Sequence, residues 1–234
     1  MRSASDLIAQ LRAKGDATKA AEMAAYHRTD REFLGLSALK LDEMARDMRR
    51  ELSLSDRLNV AQRLWESDIH EARILAAKLL TQARIRPDDA LVWTMIVAWV
   101  PDFDSWALAD HAAIAGAKRL QADPSRLDEV ETWTGDANLW VRRAALVMTL
   151  PWARLPHPKP GDIAVRERVL GWAEGYVPDH DWFIQKAIAW WLRELSKRDP
   201  ARVVAFLDGP GSGMMRFART EAQRKMRAGS TLTE

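Results

Sequence analysis

From one end to the other the chain offers segments of helical length and none that reads as a strand. SALKLDEMARDMRREL, SDRLNVAQRLWES, HEARILAAKLLTQA and PDDALVWTMIVAWV repeat apolar residues at helical spacing, with Ser, Asp or Pro near their starts. The opening segment, DSWALADHAAIAGAKRL, DANLWVRRAALVMTL, DIAVRERVLGWAEGY, FIQKAIAWWLREL, DPARVVAFLD and SGMMRFARTEAQRKM continue the series. No segment combines two-residue alternation with β-branched enrichment. The fold class is therefore expected to be all-α, with about a dozen helices joined by short turns.

These helices show no strict sequence repeat, but they are of a length that pairs into HEAT-like antiparallel hairpins. The expected architecture is a curved solenoid with one concave face, forming a single domain over residues 1–234. LPHPKPGD at 155–162 reads as a polar loop between hairpins, and residues 229–234 as a frayed tail.

Composition removes whole classes of function. There are no cysteines, which excludes disulfides, thiolate zinc sites and iron–sulfur clusters together. No run of about 18 apolar residues occurs. MRSASDLIAQLRAKGD reads as a capped amphipathic helix rather than a signal peptide, so a soluble cytoplasmic protein is expected. The five histidines show no metal-binding spacing, and His180 between two aspartates reads as surface. No metal and no cofactor are expected. GPGSG at 209–213 lacks the Lys-Ser/Thr ending of a phosphate loop and reads as a turn, and no nucleophile elbow is present. Asp102 and Asp104 read as caps for the helix that begins near Ser105.

Charge and tryptophan are both unevenly placed. The net charge is only +2, yet from Trp140 onward there are 16 Lys/Arg against 10 Asp/Glu. A basic half suggests a polyanionic partner, although a solvated mixed surface is the commoner cause. Ten of the eleven tryptophans lie at or after Trp93. Trp65, Trp93, Trp99 and Trp152 sit among aliphatic residues and read as core.

Trp190 does not. In FIQKAIAWWLRELSKRDP, the stripe Ile184, Ile188, Trp191, Leu192 and Leu195 faces a core, and Trp190 falls outside it with Lys186, Arg193 and Lys197. An indole among cations fits a phosphate-bearing ligand, whereas burial under a neighbouring hairpin is the plainer alternative. In DSWALADHAAIAGAK, Trp106 and Asp110 share a helix face that Ala113 and Ala117 continue, leaving room beside the carboxylate. Leu108, Ala112 and Ala115 form the opposite, core-facing side. The plain alternative there is an exposed Asp beside a partly buried Trp.

The blocks AAEMAAYHRTDREFLGL, LWESDIHEARILA, SWALAD, LWVRRAA, DWFIQKAIAWWLRELSKRDP and FARTEAQRKM span nearly the whole chain. Together they resemble the HEAT-like repeat alkylpurine DNA glycosylases of the AlkD type. The resemblance implies a right-handed superhelix of about six helical pairs whose concave surface grips duplex DNA. It implies catalytic roles for Trp106, Asp110 and Trp190, and DNA contacts from Tyr26 and Arg143. Lys186, Arg193 and Lys197 would then meet phosphates. Ala189 and Trp191 depart from the family pattern beside Trp190, where a Gly and a smaller apolar residue are usual.

The activity implied is hydrolysis of the glycosidic bond of cationic N3- or N7-alkylated purines in duplex DNA, without a base-binding pocket. The partner is alkylated double-stranded DNA, met by a monomer at the nucleoid. Two other classes compete with this one: a non-catalytic relative that binds distorted or branched DNA, and a HEAT-type protein scaffold. Asp110 with both tryptophans favours the enzyme, and cations around Trp190 disfavour the scaffold.

Overall fold

A computed structural model describes residues 4–227, so the expected tail at 229–234 lies outside the described residues. Among those residues the secondary structure is helical, with a single isolated bridge between Glu32 and Ile69. The chain divides into two compact units, Met1–Ala122 and Asp123–Glu234.

The first unit contains α1 (Ala4–Ala13), α2 (Ala17–His27), α3 (Ala38–Glu51), α4 (Leu54–Glu66), α5 (His70–Leu79), α6 (Ala90–Ala98) and α7 (Trp106–Ala122). Side-chain caps start several of them: Asp16 accepts from the Lys19 N–H at 3.1 Å and Ser37 from the Lys40 N–H at 3.3 Å. Ser53, rather than Ser55, caps α4 through the Asp56 N–H at 3.1 Å. At the centre lies α5, packed on α3, α4 and α7. Ala72, Leu75, Ala76, Ala77 and Leu79 of α5 are all fully buried, and each large aliphatic side chain so buried stabilises the fold by about 1.5–3 kcal/mol. Trp65 and Trp99 stack at 4.3 Å and 8°, as their aliphatic surroundings predict.

Asp102 and Asp104 have partners other than a helix terminus. Asp102 accepts the Trp65 indole N–H at 2.8 Å, and Asp104 accepts from the Arg31 Nε at 2.5 Å. The two carboxylates tie the start of α7 to α4 and to the loop after α2, which corrects their reading as caps.

The second unit contains α8 (Leu127–Thr132), α9 (Leu139–Met148), α10 (Leu150–Arg154), α11 (Pro160–Tyr176), α12 (Trp182–Leu195), α13 (Pro200–Asp208) and α14 (Arg216–Arg227). Here α12 is central, packed on α9, α10, α11 and α14. Its stripe Ile184, Ile188, Trp191, Leu192 and Leu195 is fully buried, as the spacing predicts. The larger residue at 191 is accommodated because its indole N–H donates to the Thr149 hydroxyl at 3.1 Å. Buried Gln185 donates to the carbonyls of Val177 at 3.1 Å and Asp179 at 2.9 Å, and accepts from the Met215 N–H at 2.9 Å. One amide thereby fixes the entry to α12 and the approach to α14. GPGSG forms a short 3-10 turn, and His180 is exposed.

Candidate functional site

In the first unit the site grows from the end of α2 and the start of α7. Arg28 ends α2 in the left-handed conformation, φ 54° and ψ 45°, with its N–H on the Ala24 carbonyl at 3.0 Å. The chain then turns through Gly35, whose φ of +76° suits glycine, and where a Cβ would lie 2.1 Å from the Asp16 carbonyl oxygen. Glu71, fully buried at the start of α5, receives the Leu34 N–H at 3.0 Å, the Gly35 N–H at 2.7 Å and the Leu36 N–H at 3.2 Å. Three backbone donors on one carboxylate hold this segment against α5.

This anchoring presents Tyr26 and His27. Tyr26 is 71% exposed, and its ring meets Trp106 edge-on at 6.3 Å. Trp106, at the first position of α7, is half-buried, and Asp110 follows one turn later at 7% exposure. Tyr26, Trp106 and Asp110 thus belong to one small region of this unit. The face beyond Asp110 is not open: Ala113 is fully buried and Ala117 is 5% exposed, because α7 is covered on almost every side. The open face expected at Ala113 and Ala117 is therefore absent, and so is the exposed Asp of the plainer alternative; Asp110 itself keeps 7% exposure.

Behind Trp106 lies an aromatic group that sequence inspection missed. His27 stacks on Trp106 at 5.3 Å and 26°, and on Phe33 at 5.7 Å and 15°. His70, fully buried at the head of α5, lies 4.6 Å from both His27 and Phe33. Desolvation pushes the His27 imidazole below its ordinary value, against the attraction of Glu71. Desolvation, then the charges of His27, His111 and Arg31, push His70 down to about 3.

In the second unit, α9 and α12 carry the remaining residues. Arg143 is buried and donates to the Phe183 carbonyl at 2.9 Å, so its guanidinium braces the first turn of α12. Trp190 is half-buried and off the core stripe, with Ala189 fully buried beside it. Lys186 stands 4.5 Å above the ring of Trp182, which is 48% exposed and stacks on Phe217 at 6.0 Å. Arg193 pairs with Glu221, and Lys197 with Glu194 at 2.7 Å. Burial would raise the Glu194 carboxyl, but Lys197 and Arg154 outweigh it and hold the group below its ordinary range. The helical face is as expected; its Arg193 and Lys197 charges already have acidic partners. Trp182 was missed although the angle could have found it, since it falls off the buried stripe and on the face of Lys186.

Among the described residues no cluster of three or more metal-ligating side chains occurs, and no helix is long and apolar enough to cross a membrane.

Comparison with known proteins places these residues in context. The family model described as "DNA alkylation repair enzyme" matches residues 7–226. A solved structure from Enterococcus faecalis, described as a predicted DNA alkylation repair enzyme, is 21% identical with a TM-score of 0.73, over 89% of this chain and 95% of its own. AlkD2 from Streptococcus mutans is 16% identical with a TM-score of 0.65, over 94% of this chain and 98% of its own. At such identities the likeness shows the fold. No curated protein matches the chain.

Proposed function

The chain belongs to the DNA alkylation repair enzyme family, and we propose that it is a monofunctional glycosylase releasing cationic N3- and N7-alkylated purines from duplex DNA. In this reading residues 1–234 serve as one HEAT-like repeat domain, acting as a monomer at the nucleoid in the cytoplasm without metal or cofactor.

The chemistry follows from the leaving group. A purine alkylated at N3 or N7 carries positive charge and departs without protonation, so no paired-carboxylate general acid is needed. As the bond breaks, positive charge moves to the deoxyribose. Asp110 stabilises that oxocarbenium-like state and orients or deprotonates the attacking water. Its burial strengthens the effect, because a charge in a low-dielectric setting acts more strongly than one in water. The indole face of Trp106 supports that developing cation, and Trp190 of the second unit keeps the catalytic role that the family resemblance implies. Tyr26 edges the Trp106 ring and contacts the DNA. Lys186, Arg193, Lys197 and Arg143 serve the backbone, Arg143 chiefly by bracing α12.

The observation that carries this reading is Trp106 one turn from buried Asp110, with Tyr26 against the indole, in a chain of this family. It supports an enzyme over a passive DNA binder, for which a buried carboxylate facing a polyanion would be a cost without a role. The test is incubation with methylated duplex DNA. Free alkylpurine should appear and leave an intact abasic strand. Lys186 is exposed above the Trp182 indole and not enclosed in an apolar pocket of the kind that makes a lysine a nucleophile. Borohydride should therefore trap no covalent adduct. Strand cleavage with a trapped adduct would replace hydrolysis by a lyase mechanism, and absence of any base release would remove the glycosylase reading.

A further inference from the structure

Trp106 is held from behind by a ring that can change charge. The His27 imidazole lies 5.3 Å from the indole at 26°, close to parallel, with Tyr26 edge-on to both rings at 5.1 Å and 6.3 Å. Phe33 also stacks on His27, at 5.7 Å and 15°, and His70 lies 4.6 Å away at 41°. The His27 Nδ1 is buried without a hydrogen-bond partner, and so are both ring nitrogens of His70. A ring stacked with two aromatic neighbours and carrying an unsatisfied buried nitrogen is placed for stacking and not for hydrogen bonding through that nitrogen.

We propose that His27 is the positioning residue for Trp106: its imidazole backs one face of the indole and sets the face that Trp106 offers to the cationic lesion nucleotide. The inference rests on the glycosylase reading and adds a control to it. A neutral imidazole leaves the indole electron-rich. An imidazolium at the same place takes up that electron density and adds a like charge behind the developing sugar cation. Protonation of His27 therefore slows base release.

The groups facing His27 agree on the neutral form at neutral pH. Desolvation disfavours the imidazolium, and only Glu71 of α5 opposes it. Glu71 is occupied by the N–H groups of Leu34, Gly35 and Leu36. His70 on α5 is held neutral by burial, and His111 on α7 is pushed down to about 4 by burial, with Lys78 adding to the shift and Asp42 opposing it. Arg31 in the loop after α2 is paired with Asp104 at 2.5 Å and Asp68 at 2.9 Å. Tyr26 contributes the edge of its ring from α2 itself.

The experiment compares wild type, His27→Phe and His27→Ala in single-turnover release of N7-methylguanine from about pH 5 to about pH 8, beside DNA affinity at each pH. In wild type the rate should fall toward the acid end while affinity holds or tightens, since an added positive charge does not repel phosphate. His27→Phe keeps a stacking ring without a titrating group, and its acid limb should disappear across that window. His27→Ala should lose on the order of tenfold to a hundredfold in rate at neutral pH, which the Phe variant largely restores. An acid limb unchanged in His27→Phe, or a wild-type rate in His27→Ala, would overturn the proposal. A fluorescence arm does not depend on activity: the contribution of Trp106, obtained by difference from Trp106→Phe, should titrate with acid in wild type and stay flat in the His27→Phe background. If wild type releases no base at any pH, the glycosylase reading has failed. The fluorescence difference then decides the stack alone, and a signal flat with pH in wild type would overturn it.

Discussion

His70 sits fully buried with neither ring nitrogen hydrogen-bonded, so its folded state accepts a proton only near a pKa of about 3. The unfolded chain takes the same proton near the ordinary value of about 6.5. Between those limits the unfolded state holds more protons, so stability is complete above the unfolded value and is lost as pH falls. His111, pushed down to about 4, adds to the same trend. Each group contributes a slope of about 1.4 kcal/mol per pH unit within its window. His70→Leu should remove one such share, flattening the fall in denaturant-measured stability between about pH 4 and about pH 6. An unchanged slope would show that His70 is solvated or paired in solution. Neither His70 nor Glu71 is legible in HEARILAAKLL, where both stand in a first turn that usually faces water. Their burial comes from Leu34 to Leu36 crossing α5, a contact between segments that no local pattern encodes. His27 is equally silent, since a histidine ending a helix reads as a favourable partner for the helix dipole.

Helices α7 and α12 were the most legible elements, and the reason differs for each. The buried stripe of α12 is complete, so Trp190 could be set apart from the core by angle alone. In α7 the Trp106–Asp110 spacing was plain, but a helix rich in alanine buries nearly all round and conceals which side is open. Helix α2 is not legible because ATKAAEMAAYH has no buried residue and hence no stripe. Helices α8 and α10, of 6 and 5 residues, are too short to show a period. The ion pairs of α12 also change what its cations should do. Lys186 lies over an exposed ring, whereas Arg193 must leave Glu221 to meet a phosphate. Lys186→Ala should lower the salt dependence of duplex binding by about one phosphate's worth of slope, roughly 0.9 in log–log form. Arg193→Ala should lower it by less, because the pair with Glu221 already offsets part of its charge. An unchanged slope in Lys186→Ala would move the DNA surface away from this helix.

For the whole molecule, family and helical fold were both within reach of the sequence, since the quoted blocks are spread from residue 20 to residue 226 of the matched 7–226. The central claim concerns chemistry: one buried carboxylate stabilises a sugar cation whose leaving group needs no acid. Asp110→Asn keeps the shape and removes the charge. Loss of a preorganised electrostatic contribution of about 3–4 kcal/mol should slow release on the order of 100- to 1,000-fold. Affinity for undamaged duplex should hold or tighten slightly, because a negative charge near phosphates has gone. Trp190→Ala, which removes both stacking area and cation stabilisation, should weaken rate and affinity together. The decisive measurement is single-turnover excision of N7-methylguanine by wild type and Asp110→Asn, with equilibrium binding measured on the same preparations. The mechanism predicts a large loss in rate with affinity retained; excision by Asp110→Asn at the wild-type rate would contradict it.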